Sequence, residues 1–233
     1  MNISNENSLL NQNIVYDLTP FSHLDYPNHL SCIVWMVGCN MRCDYCYNKD
    51  IVFSKQGKFS FADMLTFLKN RIGLLDAVVL SGGEATAHDL IPFAIEVKKL
   101  GFLIKLDTNG TNFEQIKKLI QLNLVDYIAL DYKAPKYKFT QITHSNQYEL
   151  FSQSLDFLIV QEIDFEVRTT LHIDLLDEVD INFIMDDLHQ RGYEKTYYIQ
   201  DFMKTDDNIA GLKQSDKSFD KTLLGDYFKV VWR

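Results

Sequence analysis

Short apolar runs recur along most of the chain and are separated by longer stretches of mixed polarity. Each run is five to eight residues long and is bounded by polar or turn-forming residues. Runs of this length that are apolar on both faces are typical of buried strands in a parallel sheet. The pattern predicts six strands, at residues 30–37, 76–80, 102–107, 125–131, 165–170 and 196–200.

The stretches between these runs carry apolar residues at helical spacing. Ser60 is a suitable N-cap for a helix with apolar positions from Phe61 to Ile72, and glycines 101 and 192 are typical C-terminal stops. Further helices are predicted at residues 89–100, 113–122, 148–160 and 180–191. The remaining segments are interpreted as a flexible tail (1–13), an extended lead-in with a turn (14–27) and a long polar connection (132–146).

Strands and helices alternate in units of about thirty residues, which predicts an α/β fold with a parallel sheet and outer helices. No break in composition divides the units, so residues 14–233 are interpreted as one domain. Such a sheet is either open and doubly wound or closed toward a barrel, and the pattern alone does not choose between them. In both architectures the working site gathers at the carboxyl ends of the strands.

Composition and charge narrow the classes of partner. The 233 residues are 46% hydrophobic and 24% charged, which is ordinary for a globular protein. The formal net charge of −9 and the pI near 5.1 argue against a surface that binds a phosphate backbone, so no nucleic-acid partner is expected. No apolar run approaches the length that crosses a bilayer, and we expect a cytoplasmic protein without a membrane partner.

Three of the four cysteines, Cys39, Cys43 and Cys46, follow the first predicted strand with the spacing C-x3-C-x2-C. Thiolates are soft ligands that hold iron–sulfur clusters, and three of them leave one iron of a four-iron cluster without a protein ligand. The alternatives are a disulfide, a zinc site or buried packing. Residues 1–13 do not resemble a secretory signal, which argues against a disulfide, and closed zinc sites normally have four ligands. Cys32, within the strand, is interpreted as a core residue.

Candidate site residues follow the other predicted strands at their carboxyl ends or lie within them. In chain order they are Gly82, Gly83, Glu84, Asp107, Thr108, Asn109, Asp131, Lys133, Arg168 and Gln200. Each group has an ordinary alternative, because Gly-Gly and Asn-Gly often form simple turns and Asp and Lys are common on surfaces. An arginine within an apolar strand, however, is seldom buried without a partner.

The cysteine spacing, with the aromatic Tyr45 before the third cysteine, resembles the signature of the radical S-adenosylmethionine (SAM) superfamily. The resemblance implies that Cys39, Cys43 and Cys46 hold a [4Fe–4S] cluster and that SAM chelates the fourth iron. It also implies a partial (βα)6 barrel of the TIM-like type and reductive cleavage of SAM to a 5′-deoxyadenosyl radical. No catalytic residue beyond the cluster and the cofactor is expected.

The residues at the strand ends are similar to the SAM-binding motifs of this superfamily. Gly82-Gly83-Glu84 resembles the Gly-Gly-Glu motif that contacts the amino group of SAM, although Ala85 stands where proline is usual. Lys133 is expected to bind the SAM carboxylate as a point charge, and Arg168 to face a carboxylate or the ribose. The implied cofactor-binding residues are Tyr45, Gly82, Gly83, Glu84, Asp107, Thr108, Asn109, Asp131, Lys133, Arg168 and Gln200.

Residues 16–20 and 43–48 carry a narrower resemblance, to the anaerobic ribonucleoside-triphosphate reductase activating protein family. It implies an enzyme that removes a hydrogen atom from one glycine of an anaerobic ribonucleotide reductase or another glycyl radical enzyme. Flavodoxin or ferredoxin is the expected electron donor. The alternatives are a small-molecule radical SAM enzyme similar to 7-carboxy-7-deazaguanine synthase, or a non-catalytic Fe–S or zinc module.

Overall fold

The computed structural model describes residues 8–205 and 207–233. The predicted flexible tail, residues 1–13, lies partly outside the described residues. The chain folds into two compact units. The first comprises the described part of Met1–Asn40 with Asp50–Thr108 and Asn112–Ile128, and the second comprises Met41–Lys49, Asn109–Thr111 and Ala129–Arg233. The interpretation of residues 14–233 as one domain stays a prediction.

Four strands lie in the first unit: β1 (Val15–Ser22), β2 (Ser31–Met36), β3 (Ala77–Gly82) and β4 (Leu103–Thr108). The last three are parallel in that order, as predicted, whereas β1 pairs antiparallel with β2. The interpretation of residues 14–27 as a lead-in missed this strand. Most residues of β1 are partly exposed and Pro20 lies within it, so it has no apolar run to reveal it.

The helices that follow these strands are α1 (Lys49–Phe53), α2 (Phe61–Lys69), α3 (Ile91–Lys99) and α4 (Phe113–Gln121). The predicted N-cap of α2 is confirmed. The Ser60 side chain accepts a hydrogen bond from the Asp63 N–H, and the Asp63 carboxylate accepts one from the Ser60 N–H, which completes a capping box. The buried side chains of Ile33, Ala77 and Val79 pack together and hold β2 against β3.

The second unit contains the end of β5 (Tyr127–Asp131) and three strands that pair in parallel, β6 (Asp164–Leu171), β7 (Tyr197–Asp201) and β8 (Val230–Trp232). Its helices are α5 (Lys136–Thr143), α6 (Tyr148–Ile159) and α7 (Glu178–Gln190). The prediction of a polar connection at residues 132–146 is wrong, because α5 occupies most of it. Only a few of its residues, including Phe139 and Ile142, are buried, and no side chain caps its start.

Strands and helices alternate in both units, and the α/β class is confirmed. Within each unit, the parallel strands bring their carboxyl ends to one edge, where loops carry the candidate residues of that unit. Within the described residues, no helix is both long enough and apolar enough to span a membrane.

Candidate functional site

In the first unit, the turn after β3 packs tightly against the turn after β2. The N–H of Glu84 donates to the Gly38 carbonyl over 2.8 Å, and the N–H of Gly83 donates to the Met36 carbonyl over 2.9 Å. A Cβ atom on Gly83 would lie 1.9 Å from the Gly38 oxygen, and Gly82 has a φ of +123°. The glycine pair is therefore required where the β3 turn meets the backbone that leads into Cys39.

Glu84 is buried and accepts several hydrogen bonds at one carboxylate oxygen. Its Oε1 atom accepts from the Thr86 hydroxyl over 2.6 Å, from the Thr86 N–H over 3.0 Å and from the Thr108 hydroxyl over 2.7 Å. The Thr108 bond joins the ends of β3 and β4. A buried carboxylate requires such donors, and they hold Glu84 in one orientation at this edge of the sheet.

Asp107, at the end of β4, has partners on two strands. The Ser81 hydroxyl donates to its Oδ2 atom over 3.1 Å, and Lys105 Nζ lies 2.8 Å from its Oδ1 atom. The side chains of Lys105 and Asp107 are only 4% and 13% exposed, so this ion pair is shielded from water. Lys105 was not among the predicted site residues, although a lysine within an apolar strand is the same kind of signal as Arg168.

In the second unit, Asn109 and Gly110 form a structural turn. The Asn109 side-chain oxygen accepts hydrogen bonds from the hydroxyl and the N–H of Thr111, at 2.6 and 3.0 Å. Gly110 has a φ of +77°, and a Cβ atom there would lie 2.7 Å from a methyl carbon of Leu130. The turn interpretation thus describes this geometry, and the cofactor-binding role of Asn109 stays a prediction.

Asp131, Lys133 and Arg168 form a buried charged cluster at the ends of β5 and β6. Lys133 Nζ donates to Asp131 Oδ2 over 2.9 Å, and Arg168 Nε donates to Asp131 Oδ1. Burial raises the pKa of Asp131, but the charges of Arg168 and Lys133 outweigh burial and lower it to about 2. Burial lowers the pKa of Lys133, yet the Asp131 carboxylate holds it well above its usual value. Arg168 therefore has a protein partner in Asp131.

The cysteine loop of the second unit, residues 41–48, lies beside this cluster of Asp131, Lys133 and Arg168. Lys133 Nζ is 6.0 Å from the centroid of the buried Tyr45 ring. Burial raises the pKa of the Cys43 thiol to about 11, while the Lys133 charge acts in the opposite direction and favours the thiolate. Cys43 and Cys46 are connected by a turn in which the Cys46 N–H donates to the Cys43 carbonyl over 2.9 Å.

The donor set suits an iron–sulfur cluster. Cys39, Cys43 and Cys46 are all free thiols, and soft sulfur donors are the ligands that such clusters prefer. Across residues 8–205 and 207–233, no group of three histidine, cysteine or acidic side chains stands at metal-binding distances. Cys32 is fully buried, and burial raises its pKa to about 12, which agrees with its interpretation as a core residue.

The sequence-predicted residues therefore fall into two groups, one in each unit. Gly82, Gly83, Glu84, Asp107 and Thr108 lie with Cys39 in the first unit, and Tyr45, Asn109, Asp131, Lys133, Arg168 and Gln200 lie with Cys43 and Cys46 in the second. Gln200 is half-buried near the end of β7, in register with Thr170 of β6. The cofactor-binding roles of these residues stay predictions.

The chain is similar to proteins of one family. The profile described as the radical SAM superfamily matches residues 33–190. A Methanocaldococcus jannaschii protein with the provisional name glycyl-radical enzyme activating enzyme is 34% identical over 180 residues, which are 73% of each chain. The pyruvate formate-lyase-activating enzyme of Streptococcus mutans is 30% identical over 134 residues, 52% of this chain and 50% of that one.

A solved structure shows the same fold. SuiB from Streptococcus suis, bound to S-adenosylmethionine, has a TM-score of 0.65 at 11% identity. The match covers 79% of this chain and 43% of SuiB. The chain thus spans about half the length of the Streptococcus mutans enzyme and less than half of SuiB.

The match to SuiB agrees with the predicted α/β partial-barrel fold. The relatives are activating enzymes, which agrees with the prediction of an enzyme. The chain belongs to the radical SAM superfamily, because the family profile matches more than half of it. The cofactors of this superfamily are a [4Fe–4S] cluster and SAM, which confirms the cofactor prediction. The similarity to activating enzymes confirms the resemblance to glycyl-radical-enzyme activases at the level of the family.

Proposed function

We propose that the protein activates a glycyl radical enzyme by removing a hydrogen atom from one of its glycines, and that this partner is an anaerobic ribonucleotide reductase. The observation that carries the proposal is the 34% identity over 73% of both chains with the Methanocaldococcus jannaschii activating enzyme. The choice of a reductase as the partner is supported by the resemblance carried by residues 16–20 and 43–48.

Cys39, Cys43 and Cys46 are the residues that we propose as ligands of the cluster. Their grouping rests on the C-x3-C-x2-C spacing and on their being free thiols. When bound, the [4Fe–4S] cluster and SAM supply the radical chemistry. Burial raises the pKa of the Cys43 thiol, and the nearby Lys133 ammonium opposes part of this rise in favour of the thiolate, which is the form that binds iron.

Charged groups at the strand ends are proposed to bind and orient SAM. In the second unit, Lys133 offers a buried cation for a carboxylate, and Arg168 offers planar N–H donors while Asp131 holds both cations in place. In the first unit, Glu84 offers an acceptor for an ammonium group, and its bonds to Thr86 and Thr108 fix its direction. Asp107, Asn109, Tyr45 and Gln200 are proposed as further cofactor contacts.

The proposed removal of a hydrogen atom does not require a protein residue to transfer a proton, so no general acid or base is needed. We propose flavodoxin or ferredoxin as the electron donor and the reducing cytoplasm as the compartment. Four free cysteines support this compartment, because thiols persist as ligands where disulfides do not form. The acidic net charge of −9 supports a protein partner rather than a nucleic acid.

The test mixes the reduced, cluster-loaded protein with SAM and the anaerobic ribonucleotide reductase of the same organism. We expect a doublet glycyl-radical signal in the electron paramagnetic resonance spectrum and an equivalent amount of 5′-deoxyadenosine. Cys43→Ala protein treated in the same way is the negative control, and a reductase with its radical glycine replaced by alanine is the second. The proposal is wrong if the protein cleaves SAM to 5′-deoxyadenosine while neither the reductase nor another glycyl radical enzyme acquires the radical.

A further inference from the structure

A segment near the C-terminus crosses the cysteine loop of the second unit. In this segment, residues 207–212, the N–H of Ile209 donates to the Cys46 carbonyl over 3.1 Å and the N–H of Ala210 donates to the Asp44 carbonyl over 3.1 Å. We call residues 207–212 the strap. No motif in the sequence marks these residues, yet they bond to the stretch that contains two proposed cluster ligands.

The strap has a defined shape because Asn208 holds it in a turn. The Asn208 side chain is buried, accepts the Leu212 N–H over 2.7 Å and donates to the Leu212 carbonyl over 2.8 Å. The Gly211 N–H donates to the Asn208 carbonyl over 3.2 Å, which closes a four-residue turn. Ile209 and Ala210 occupy its central positions with negative φ, as in a type I turn.

The cysteine loop is held from another direction by the C-terminal end of α5. The N–H groups of Arg42 and Asp44 donate to the carbonyls of Thr143 and Ile142, over 2.9 and 3.0 Å. These are among the last carbonyls of a helix, which lack partners inside the helix. Both backbone groups of Asp44 are therefore used, one by α5 and the other by the strap.

This arrangement matters because the cysteine loop has no regular secondary structure between Met41 and Asn48. Its conformation depends on hydrogen bonds from other segments of the chain. The ion pair of Lys49 with Asp207 lies at the edge of the same contact, but its exposed side chains contribute little. The backbone bonds of Ile209 and Ala210 thus join strap and loop without depending on exposed charges.

We propose that the strap is a positioning element that fixes Cys43 and Cys46 for cluster binding. The inference rests on the proposed role of these cysteines as ligands. Ile209 is its most informative residue, because its N–H contacts the carbonyl of one proposed ligand directly. It acts through Cys46 and touches neither cofactor nor substrate.

The variant Ile209→Pro removes this single N–H while keeping the turn, since proline suits the first central position of a type I turn. Ile209→Ala is the matched control, because it shortens the side chain and keeps the N–H. Asn208→Ala, which loosens the turn without changing either donor, is the second variant. It keeps the proposal testable if the proline variant does not fold.

Hydrogen exchange of the cluster-free protein gives the first readout. We expect the backbone amides of residues 41–48 to exchange about fivefold faster in Ile209→Pro than in Ile209→Ala, the effect of one lost backbone hydrogen bond. In cluster-loaded protein we expect iron to pass to a chelator faster by a similar factor. The midpoint potential of the cluster is expected to shift in the proline variant only, because the loss of the bond to the Cys46 carbonyl changes the position of a proposed ligand.

The outcomes separate this inference from the proposed function. If the loop amides exchange at equal rates in the folded proline and alanine variants, the proposed positioning role of the strap is wrong. This holds whatever the enzyme acts on. Faster exchange in the loop, together with an unchanged potential and unchanged iron release, also overturns this role, because the strap then holds the loop without positioning the ligands. Failure to form a glycyl radical in any partner overturns only the proposed function.

Discussion

The Lys133 ammonium lies 2.9 Å from an Asp131 carboxylate oxygen, and both side chains are largely buried at the end of β5. Two residues apart on an extended segment, they lie on the same side of the chain. Arg168 approaches the other oxygen of the same carboxylate. The cluster thus places the Lys133 ammonium and the Arg168 guanidinium at one carboxylate, and we expect the ammonium to bind an anionic ligand group as well.

Replacing Lys133 with methionine is expected to weaken SAM binding. Methionine retains most of the stem and removes the ammonium, while Asp131 keeps Arg168 as a partner. Loss of a charged hydrogen bond corresponds to about 1.5–3 kcal/mol, so we expect the dissociation constant of SAM to rise about tenfold or more. Anaerobic equilibrium dialysis with cluster-loaded protein measures it.

The matched control for that experiment is Lys136→Met. Lys136 pairs with Glu149 on the surface, and both side chains are more than half exposed, so its removal is expected to leave SAM affinity unchanged. If Lys133→Met protein binds SAM as tightly as the unaltered protein, the carboxylate-binding role of Lys133 is wrong.

Replacing Asp131 with asparagine is expected to destabilise the folded protein by about 3–5 kcal/mol, because two buried cations lose their shared anion. Unfolding by urea, followed at pH 6, measures this difference. An isosteric change that leaves the free energy of unfolding unaltered would show that solvent already screens the cluster.

The difference in free energy of unfolding between the unaltered protein and Asp131→Asn is expected to become smaller in acid. The pKa of Asp131 is about 2 in the folded protein and 3.8 in the unfolded chain, so the folded state gains stability from its ionised form above about pH 4. That contribution, about 2 kcal/mol, is lost as the pH falls from about 4 through about 2. The stability gap between the unaltered protein and Asp131→Asn should therefore narrow over this range. A constant gap would contradict the low pKa.

Gly83→Ala is expected to disrupt the turn that leads into Cys39. The new Cβ atom would stand 1.9 Å from the Gly38 carbonyl oxygen, a backbone atom that cannot move without displacing β2. We expect a loss of about 3 kcal/mol or more in the free energy of unfolding, together with poor iron retention. Thermal unfolding and iron analysis after reconstitution measure the two effects.

Gly73→Ala separates steric overlap from backbone strain. Gly73 has a φ of +77° and open space around its position, so alanine there meets strain without a clash and is expected to lose about 1–2 kcal/mol. Similar losses in the two variants would mean that the close approach of Gly83 to Gly38 does not constrain the protein.

The strands and caps with strong local signals were predictable from the sequence. The apolar run of residues 30–37 contains β2, and Ser60 caps α2, because burial on both faces and capping chemistry leave direct patterns in the residues. The edge strand β1 and the three-residue strand β8 leave no such pattern. Helix α5 is also concealed, since it is short and its few apolar residues are separated by polar ones.

The candidate site was predictable in its residues but less so in its contacts. Parallel strands place residues such as Glu84 and Asp131 at their carboxyl ends, and this rule needs only the strand pattern. That Arg168 pairs with Asp131 depends on the register of distant segments. The bond from Ile209 to Cys46 joins residues far apart in the chain, and no residue type is required for a backbone N–H donor.

The two kinds of cysteine are expected to respond differently to replacement by alanine. Burial raises the pKa of both thiols, so the contrast rests on their positions: Cys43 lies in the C-x3-C-x2-C loop beside Lys133, whereas Cys32 lies within strand β2 and outside that spacing. We expect Cys43→Ala to lose most of its iron after anaerobic reconstitution. Cys32→Ala should keep about four irons per chain, with only a small loss of stability from the vacated volume. Iron and sulfide analysis, with circular dichroism to confirm folding, distinguishes them. Equal iron loss in both folded variants would show that Cys32 is a ligand and that its assignment to the core is wrong.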